Sequence, residues 1–106
     1  MIPDIAPGHI SIKYGCRGPN YSTTSACASS SNAIGNAVSV IQSGIADVMI
    51  TGGSEAAITR MGVAGFANMK ALSTRNDDPA TASRPFDAGR NGIVVSEGGA
   101  VYTLER

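Results

Sequence analysis

Two stretches of the chain have the residue pattern of helices. Residues 5–14 carry apolar side chains among small ones and precede a glycine-containing turn at 15–20, which predicts a short helix with a defined end. From Ser29 onward, apolar residues recur every three or four positions, which predicts a longer helix with one face packed on a sheet. Gly44 marks its expected end, and the apolar face consists of Ala33, Ile34, Ala37, Val38, Ile41 and Ile45.

Four segments have the composition of β-strands. Residues 21–26 are rich in β-branched and hydroxyl side chains, and residues 47–51 are a short apolar run closed by a tight turn at 52–53, typical of a buried parallel strand. With the longer helix between them, these two strands would form a βαβ unit of about 30 residues with a right-handed crossover. Two further β segments are predicted at 93–97 and 100–104.

The remaining segments complete an α/β pattern with a mixed sheet. Residues 54–72 are rich in glycine and alanine and predict one or two short helices, whereas residues 73–92 are polar, contain two prolines and predict a long ordered loop. The sequence contains no internal repeat. The last strand stops as the sequence stops, so we expect residues 1–106 to form part of a larger domain.

Composition excludes several classes of protein. The 106 residues are 42% hydrophobic and 15% charged, with a formal net charge of zero, which argues against binding to nucleic acid or to a membrane surface. No apolar run is long enough to span a bilayer, and the first residues do not have the pattern of a signal peptide. We therefore expect a cytoplasmic protein. Because no metal-ligand spacing, phosphate loop or dinucleotide motif occurs, we expect neither a metal nor a cofactor.

The most informative segment is residues 23–32, in which Cys27 lies where the predicted strand runs into the longer helix. The free N–H groups and positive dipole end of a helix favour a thiolate, and a tight turn exposes the side chain as a nucleophile. The small residues around Cys27 leave room for a substrate carbonyl, and its own N–H can help to bind an oxyanion. The alternative is that Cys27 is an inert, buried residue that packs the turn.

The other candidate residues have simpler interpretations. Cys16 lies in a glycine-rich turn and His9 has no partner in the sequence pattern, so both are interpreted as structural. Two cysteines do not make a disulfide framework, although one bond between Cys16 and Cys27 stays open. Five basic residues give 60–90 an excess of positive charge, which is either a solvated surface or a contact for an acidic partner: Arg60, Lys70, Arg75, Arg84 and Arg90.

The chain resembles the elongating β-ketoacyl-acyl-carrier-protein synthases along almost its whole length. Ser25-Ala-Cys-Ala-Ser-Ser30 followed by Asn32-Ala-Ile-Gly-Asn36 resembles their nucleophile motif, and Ala46-Asp-Val-Met-Ile-Thr-Gly-Gly-Ser-Glu55 resembles the strand that follows it. Segments 71–76 and 82–87, together with Gly98, match as well, and 73–79 is more similar to synthase type II than to type I.

This resemblance implies a thiolase-like fold, in which 1–106 is an incomplete first half of a synthase domain. It also implies a ping-pong condensation in which Cys27 accepts an acyl group from acyl carrier protein and then yields it to a decarboxylated malonyl unit. Phe66 would line the acyl pocket, Lys70 would contact the acidic carrier protein, and two copies would dimerise partly through 21–26. The family's two catalytic histidines and its lysine come from the second half, and His9 matches neither histidine.

Departures from the family pattern and two other interpretations remain. Asn91-Gly92-Ile93 replaces the usual Asp-Gly-Phe and Ser96 replaces a glycine, which affects local packing rather than the reaction class. Cys27 itself is retained, which argues against the non-condensing subunits of polyketide systems. The chain could instead belong to a polyketide ketosynthase domain, or be a non-catalytic remnant that only binds carrier protein. In every case we expect the 106 residues to be inactive alone.

Overall fold

The computed structural model describes residues 2–106, which form two compact units. The first unit comprises the described residues up to Ser54 together with Gly99–Arg106, and the second is Glu55–Gly98. The helices are α1 (Ile5–Tyr14), α2 (Ser29–Gln42) and α3 (Arg60–Asn68), and the strands are β1 (Val48–Glu55) and β2 (Gly98–Glu105). Short 3-10 turns occupy Ala26–Ala28 and Pro79–Thr81.

Helix α1 confirms the short helix predicted at 5–14. It ends at Gly15, whose φ of 66° is the left-handed conformation that glycine adopts without strain. The Ser11 carbonyl accepts the N–H groups of both Gly15 and Cys16, which satisfies a carbonyl that the helix end would otherwise leave open. None of the residues of α1 is buried.

Helix α2 confirms the longer helix and most of its predicted apolar face. Ala37 and Ile41 are buried, with 2% and 7% of their surfaces exposed. The N–H of Gly44 donates to the Ile41 carbonyl and that of Ile45 to the Val40 carbonyl, which is the hydrogen-bond pattern of a Schellman end. The helix therefore stops before Ile45, and this predicted member of the face is 65% exposed.

Strands β1 and β2 form a two-stranded antiparallel sheet. The N–H of Arg106 donates to the carbonyl of Asp47, whereas at the other end Gly99 lies against Ser54, so the two strands run in opposite directions. The sequence predicted 47–51 as a parallel strand. Among the described residues its strand neighbour is antiparallel, so this prediction is wrong there. The strand also continues through residues 52–53, where the sequence predicted a turn.

The predicted strand at 21–26 is not formed, and neither is the βαβ unit that depended on it. Residues 21–25 have no regular secondary structure. Their β-branched and hydroxyl side chains fit a sheet, but a strand also needs a hydrogen-bonded neighbour, and none of the described residues provides one. Side-chain hydrogen bonds hold the segment and its flank instead, from Asn20 to the Pro7 carbonyl and from Ser22 to the Pro3 carbonyl.

The second unit contains α3 and the predicted long loop, both of which are confirmed. Thr59 caps α3 by accepting the Gly62 N–H at 3.0 Å. Residues 73–92 contain only the 3-10 turn Pro79–Thr81, and the buried Ala82 follows it. The predicted strand at 93–97 is wrong, because it is reduced to one isolated parallel bridge between Leu72 and Ile93. Across residues 2–106, no helix combines the length and apolar character that a bilayer crossing requires.

Candidate nucleophile site

Cys27 lies in the 3-10 turn Ala26–Ala28, and α2 begins two residues after it. Cys27 is free and exposed, so the burial expected in the alternative interpretation is wrong for the described chain, whereas its role as a nucleophile stays a prediction. The helix start that the sequence predicted behind Cys27 is present, although an irregular segment rather than a strand leads into it. The side chain of Cys27 is therefore exposed just before the end of α2 that carries the positive pole of the helix dipole.

Ala26 turns the backbone sharply at the residue before the thiol. Its φ is 51°, in the left-handed region, a conformation that costs a residue other than glycine about 1–2 kcal/mol. A sharp, strained turn before a helix is also how the nucleophile of α/β-hydrolases is exposed. Neighbouring interactions must therefore hold Ala26 in this conformation.

A cluster of hydroxyl and amide side chains surrounds this turn. The Ser29 hydroxyl accepts the Ser25 N–H at 2.8 Å and donates to the Ala26 carbonyl at 2.7 Å. Asn32 donates from its side-chain amide to the Ser25 hydroxyl at 2.6 Å, and Asn36 reaches the Thr23 hydroxyl at 3.3 Å. The residue pattern did not predict these roles, although serine and asparagine near a helix start often bond to local backbone groups.

The start of α2 also contacts strand β1 through Ser30 and Gly53. A Cβ atom at Gly53 would overlap the Ser30 hydroxyl, so any larger residue would require the Ser30 side chain to shift. Gly52 has a similar role between the strands, because a Cβ there would overlap the Ala100 carbonyl. The sequence predicted this glycine pair as a tight turn. Both glycines lie within β1 instead, where Gly52 allows the close approach of β2 and Gly53 that of the start of α2.

A separate cavity of about 300 Å³ lies elsewhere in the first unit. It is formed by α1, the segment 16–20 and the first residues of β1, and its lining includes Cys16 and Arg17 but not Cys27. Cys16 is a free, exposed thiol, so the disulfide that the sequence left open is not formed. His9 is exposed on α1, in a different element from Cys27.

Phe66 and Lys70, the two other candidate residues, lie in the second unit. Phe66 is half-buried on α3, and its carbonyl accepts the Ala71 N–H at 3.1 Å. Lys70 follows α3 and is exposed, with its own N–H bonded to the Ala67 carbonyl. Its φ of 57° places a lysine at the left-handed position of a Schellman end, where glycine is usual. The roles predicted for both residues stay predictions.

Comparison with known proteins identifies the family. The sequence model of the β-ketoacyl synthase N-terminal domain matches residues 1–106. The chain is 52% identical over 105 residues to 3-oxoacyl-[acyl-carrier-protein] synthase 2 of Staphylococcus aureus, covering 99% of the chain and 26% of that protein. It is 53% identical over 105 residues to the protein of the same name from Synechocystis, with 99% and 25% covered.

Two solved structures have the same fold. A β-ketoacyl synthase from Burkholderia phymatum superposes with a TM-score of 0.91 at 43% identity, covering 99% of this chain and 26% of that one. The second is a ketosynthase in complex with its type II polyketide-synthase acyl-carrier protein and bound to a hexaketide. It superposes with a TM-score of 0.90 at 33% identity, with 94% and 25% covered.

These matches confirm the resemblance that the sequence motifs indicated and the partial thiolase-like α/β fold that it implied. The chain spans about a quarter of the length of the curated relatives that it matches. Because the matching family model extends over every residue of the sequence, the chain belongs to the family of β-ketoacyl synthase N-terminal domains.

Proposed function

We propose that the intact protein is a type II-like 3-oxoacyl-[acyl-carrier-protein] synthase and that this chain, as part of the first half of its domain, supplies the nucleophile. The observation that supports this most directly is the exposed thiol of Cys27 at the turn before α2. It stands within a sequence 52% identical to a 3-oxoacyl-[acyl-carrier-protein] synthase. Two further parts of the reaction, the proton-handling groups and a second oxyanion donor, would come from the remainder of the protein.

The proposed reaction has two halves. The Cys27 thiolate attacks the thioester carbonyl of an acyl-carrier protein, a new carbon–sulfur bond forms, and the carrier thiolate leaves. Malonyl-carrier protein then loses carbon dioxide, and the resulting carbanion attacks the acyl group on Cys27. The cysteine thiolate leaves, and the product is a 3-oxoacyl chain longer by two carbons. The backbone N–H of Cys27 would stabilise the oxyanion that forms in each attack.

The proposed partner is an acidic acyl carrier protein, which would bring both the acyl and the malonyl group. The similar ketosynthase that was solved with its acyl-carrier protein supports this choice. We assign Lys70 to carrier-protein contact, because its side chain is exposed immediately after α3, and Phe66 to the acyl pocket. We also propose a cytoplasmic homodimer that uses residues 21–26 in its interface and that requires no metal or cofactor.

The decisive test replaces Cys27 with alanine in the intact protein and incubates it with radiolabelled acyl-carrier protein. Acylation of the enzyme and condensation with malonyl-carrier protein should both be lost, since no other group in the mechanism accepts the acyl chain. Cys16→Ala is the matched control, because it removes the other free thiol and should leave both activities intact. Condensing activity that survives Cys27→Ala would overturn the assignment.

A polyketide ketosynthase is the second candidate, supported by the ketosynthase structure bound to a hexaketide. The identity is lower in that case, 33% against 52% for the 3-oxoacyl-[acyl-carrier-protein] synthase 2 of Staphylococcus aureus. The two candidates differ in product: one round of extension of a saturated acyl chain indicates fatty-acid elongation, whereas repeated extension of unreduced β-keto chains indicates polyketide synthesis. A protein that binds carrier protein but never forms a thioester on Cys27 would be the non-catalytic remnant.

A further inference from the structure

We infer that Ser29 is a positioning residue of the nucleophile: its hydroxyl holds Ala26 in the left-handed conformation that fixes where the Cys27 thiol stands. This inference deepens the proposed function and rests on it for the acyl-transfer step. Ser29 does not touch the reacting atoms. It acts through the two backbone groups that it bonds on the N-terminal side of the thiol.

The hydroxyl of Ser29 uses both of its hydrogen-bonding capacities on one short stretch of backbone. It accepts the Ser25 N–H at 2.8 Å and donates to the Ala26 carbonyl at 2.7 Å. The Ser29 N–H donates to the same carbonyl. Residues 25–26 are therefore bound at both ends by a single side chain, and the backbone torsions between the two bonds include the φ of 51° at Ala26.

The Ser29 hydroxyl adds side-chain bonds to a turn that backbone groups close with one further bond, from the Ala28 N–H to the Ser25 carbonyl at 3.1 Å. Ala26 has no favourable intrinsic preference for the left-handed region. The start of α2 has no side-chain cap, since its flanking residue is Ala28. Asn32 supports the cluster from the next turn of the helix by donating to the Ser25 hydroxyl at 2.6 Å. Ser29 is thus the side chain that connects the strained residue to the rigid helix.

Loss of this hydroxyl would displace the thiol rather than remove it. Without its two bonds, Ala26 can relax toward negative φ, and the Cys27 thiol then moves from its place in the turn before α2. Attack on a thioester depends on alignment, and a displacement of about 1 Å at a reacting atom can cost a hundredfold in rate. Substrate binding would be little affected, because both hydrogen bonds of the Ser29 hydroxyl lie within its own segment.

The test uses the intact protein with Ser29→Ala and Ser29→Thr. The alanine variant should acylate Cys27 at least about tenfold more slowly at saturating acyl-carrier protein, with KM within about twofold of the parent. Threonine keeps the hydroxyl and should restore at least about a third of the parent rate. Ser39→Ala is the matched control, since it removes a serine-to-backbone bond of 3.0 Å in the same helix, away from Cys27.

A second readout does not depend on any substrate: the rate at which iodoacetamide alkylates Cys27 in each variant. It should fall several-fold in Ser29→Ala and recover in Ser29→Thr. If the parent forms no acyl-enzyme, the proposed function fails while alkylation still decides the role of Ser29. The inference is overturned if the alanine variant retains acylation and alkylation within twofold of the parent. It is equally overturned if threonine loses as much as alanine, or if Ser39→Ala has the same effect.

Discussion

At the scale of single residues, two non-glycine positions among residues 2–106 have a left-handed backbone, and each lies at or next to a candidate functional residue. Ala26 precedes Cys27, the proposed nucleophile, and Lys70 is itself the residue proposed for carrier-protein contact. Strain of this kind persists only where surrounding bonds hold it. Around Ala26 these are the bonds of Ser29, whereas Lys70 is held by the backbone bonds that end α3.

Lys70 allows backbone strain and charge to be tested separately. Lys70→Gly removes the charge but relieves the left-handed backbone, so the variant should be as stable as the parent or more stable by up to about 1 kcal/mol. Lys70→Glu reverses the charge. Carrier-protein binding should weaken by about threefold in Lys70→Gly and about tenfold in Lys70→Glu, and both losses should become smaller at high ionic strength. Surface plasmon resonance at two salt concentrations measures this effect, with Lys13→Glu as a control on α1.

Equal affinity for carrier protein in the parent and in Lys70→Glu would contradict this assignment of Lys70. A loss of similar size in Lys13→Glu would show instead that binding responds only to net charge. Thermal unfolding of the variants separates these cases from misfolding, since neither Lys70→Gly nor Lys70→Glu should lower Tm at this exposed position.

Asp78 provides a pH-dependent interaction within the long loop. Its pKa lies below the ordinary value of 3.8, first because the Thr81 hydroxyl donates to its carboxylate and then because Arg75 does so at 3.3 Å. Since the folded pKa is lowered, ionised Asp78 stabilises the loop above the unfolded pKa. This contribution is lost as the pH falls through the lower folded value.

Thr81→Val should therefore raise the pKa of Asp78 toward its ordinary value and shift the acid-induced loosening of the loop to higher pH. The carboxyl carbon chemical shift of Asp78, followed by NMR across an acid titration of selectively labelled protein, measures this directly. Thr74→Val is the control, because it removes a hydroxyl from the same loop without touching Asp78. An unchanged titration of Asp78 in Thr81→Val would contradict the assigned hydrogen bond.

At the scale of elements, helices could be predicted from the sequence more reliably than strands. Helix α2 and its end at Gly44 follow from local periodicity and local backbone chemistry, which the chain carries within itself. The strands predicted at 21–26 and 93–97 are not formed. A strand depends on a hydrogen-bonded neighbour, which the local sequence does not specify. The thiol could be placed at a helix start, but Ser29 became evident only from distances.

The contact between α2 and β1 predicts that substitution of Gly53 destabilises the protein through the Ser30 side chain. In Gly53→Ala the new methyl group would overlap the Ser30 side chain, so the intact protein should lose about 1–3 kcal/mol of stability. Acylation of Cys27 should slow as well, because Ser30 lies in the first turn of α2. Ser30→Ala alone should be nearly neutral. The double variant should recover part of the loss, since the overlapping hydroxyl is gone, and a denaturant-based double-mutant cycle measures this coupling.

At the scale of the whole molecule, the described residues bury little apolar surface. The buried hydrophobic residues are Ala37, Ile41 and Ala82, and no large side chain among residues 2–106 is fully buried. In β2 only Leu104 is less than exposed, and a two-stranded sheet with open faces is at best marginally stable in water. Other large apolar side chains are more than half exposed, among them Ile12, Met61, Phe86 and Val101.

We therefore expect residues 1–106, produced alone, to unfold without a cooperative transition. Burial of apolar surface is the main favourable contribution to folding. The three buried hydrophobic residues among 2–106 contribute too little to offset the loss of conformational entropy on folding. Calorimetry should show no two-state melt, the chain should bind the dye ANS, and iodoacetamide should label Cys27 no faster than Cys16. The intact protein should instead melt cooperatively and label preferentially at Cys27. A soluble, monomeric 106-residue chain with a sharp melt would show that these exposed faces do not need the remainder of the protein.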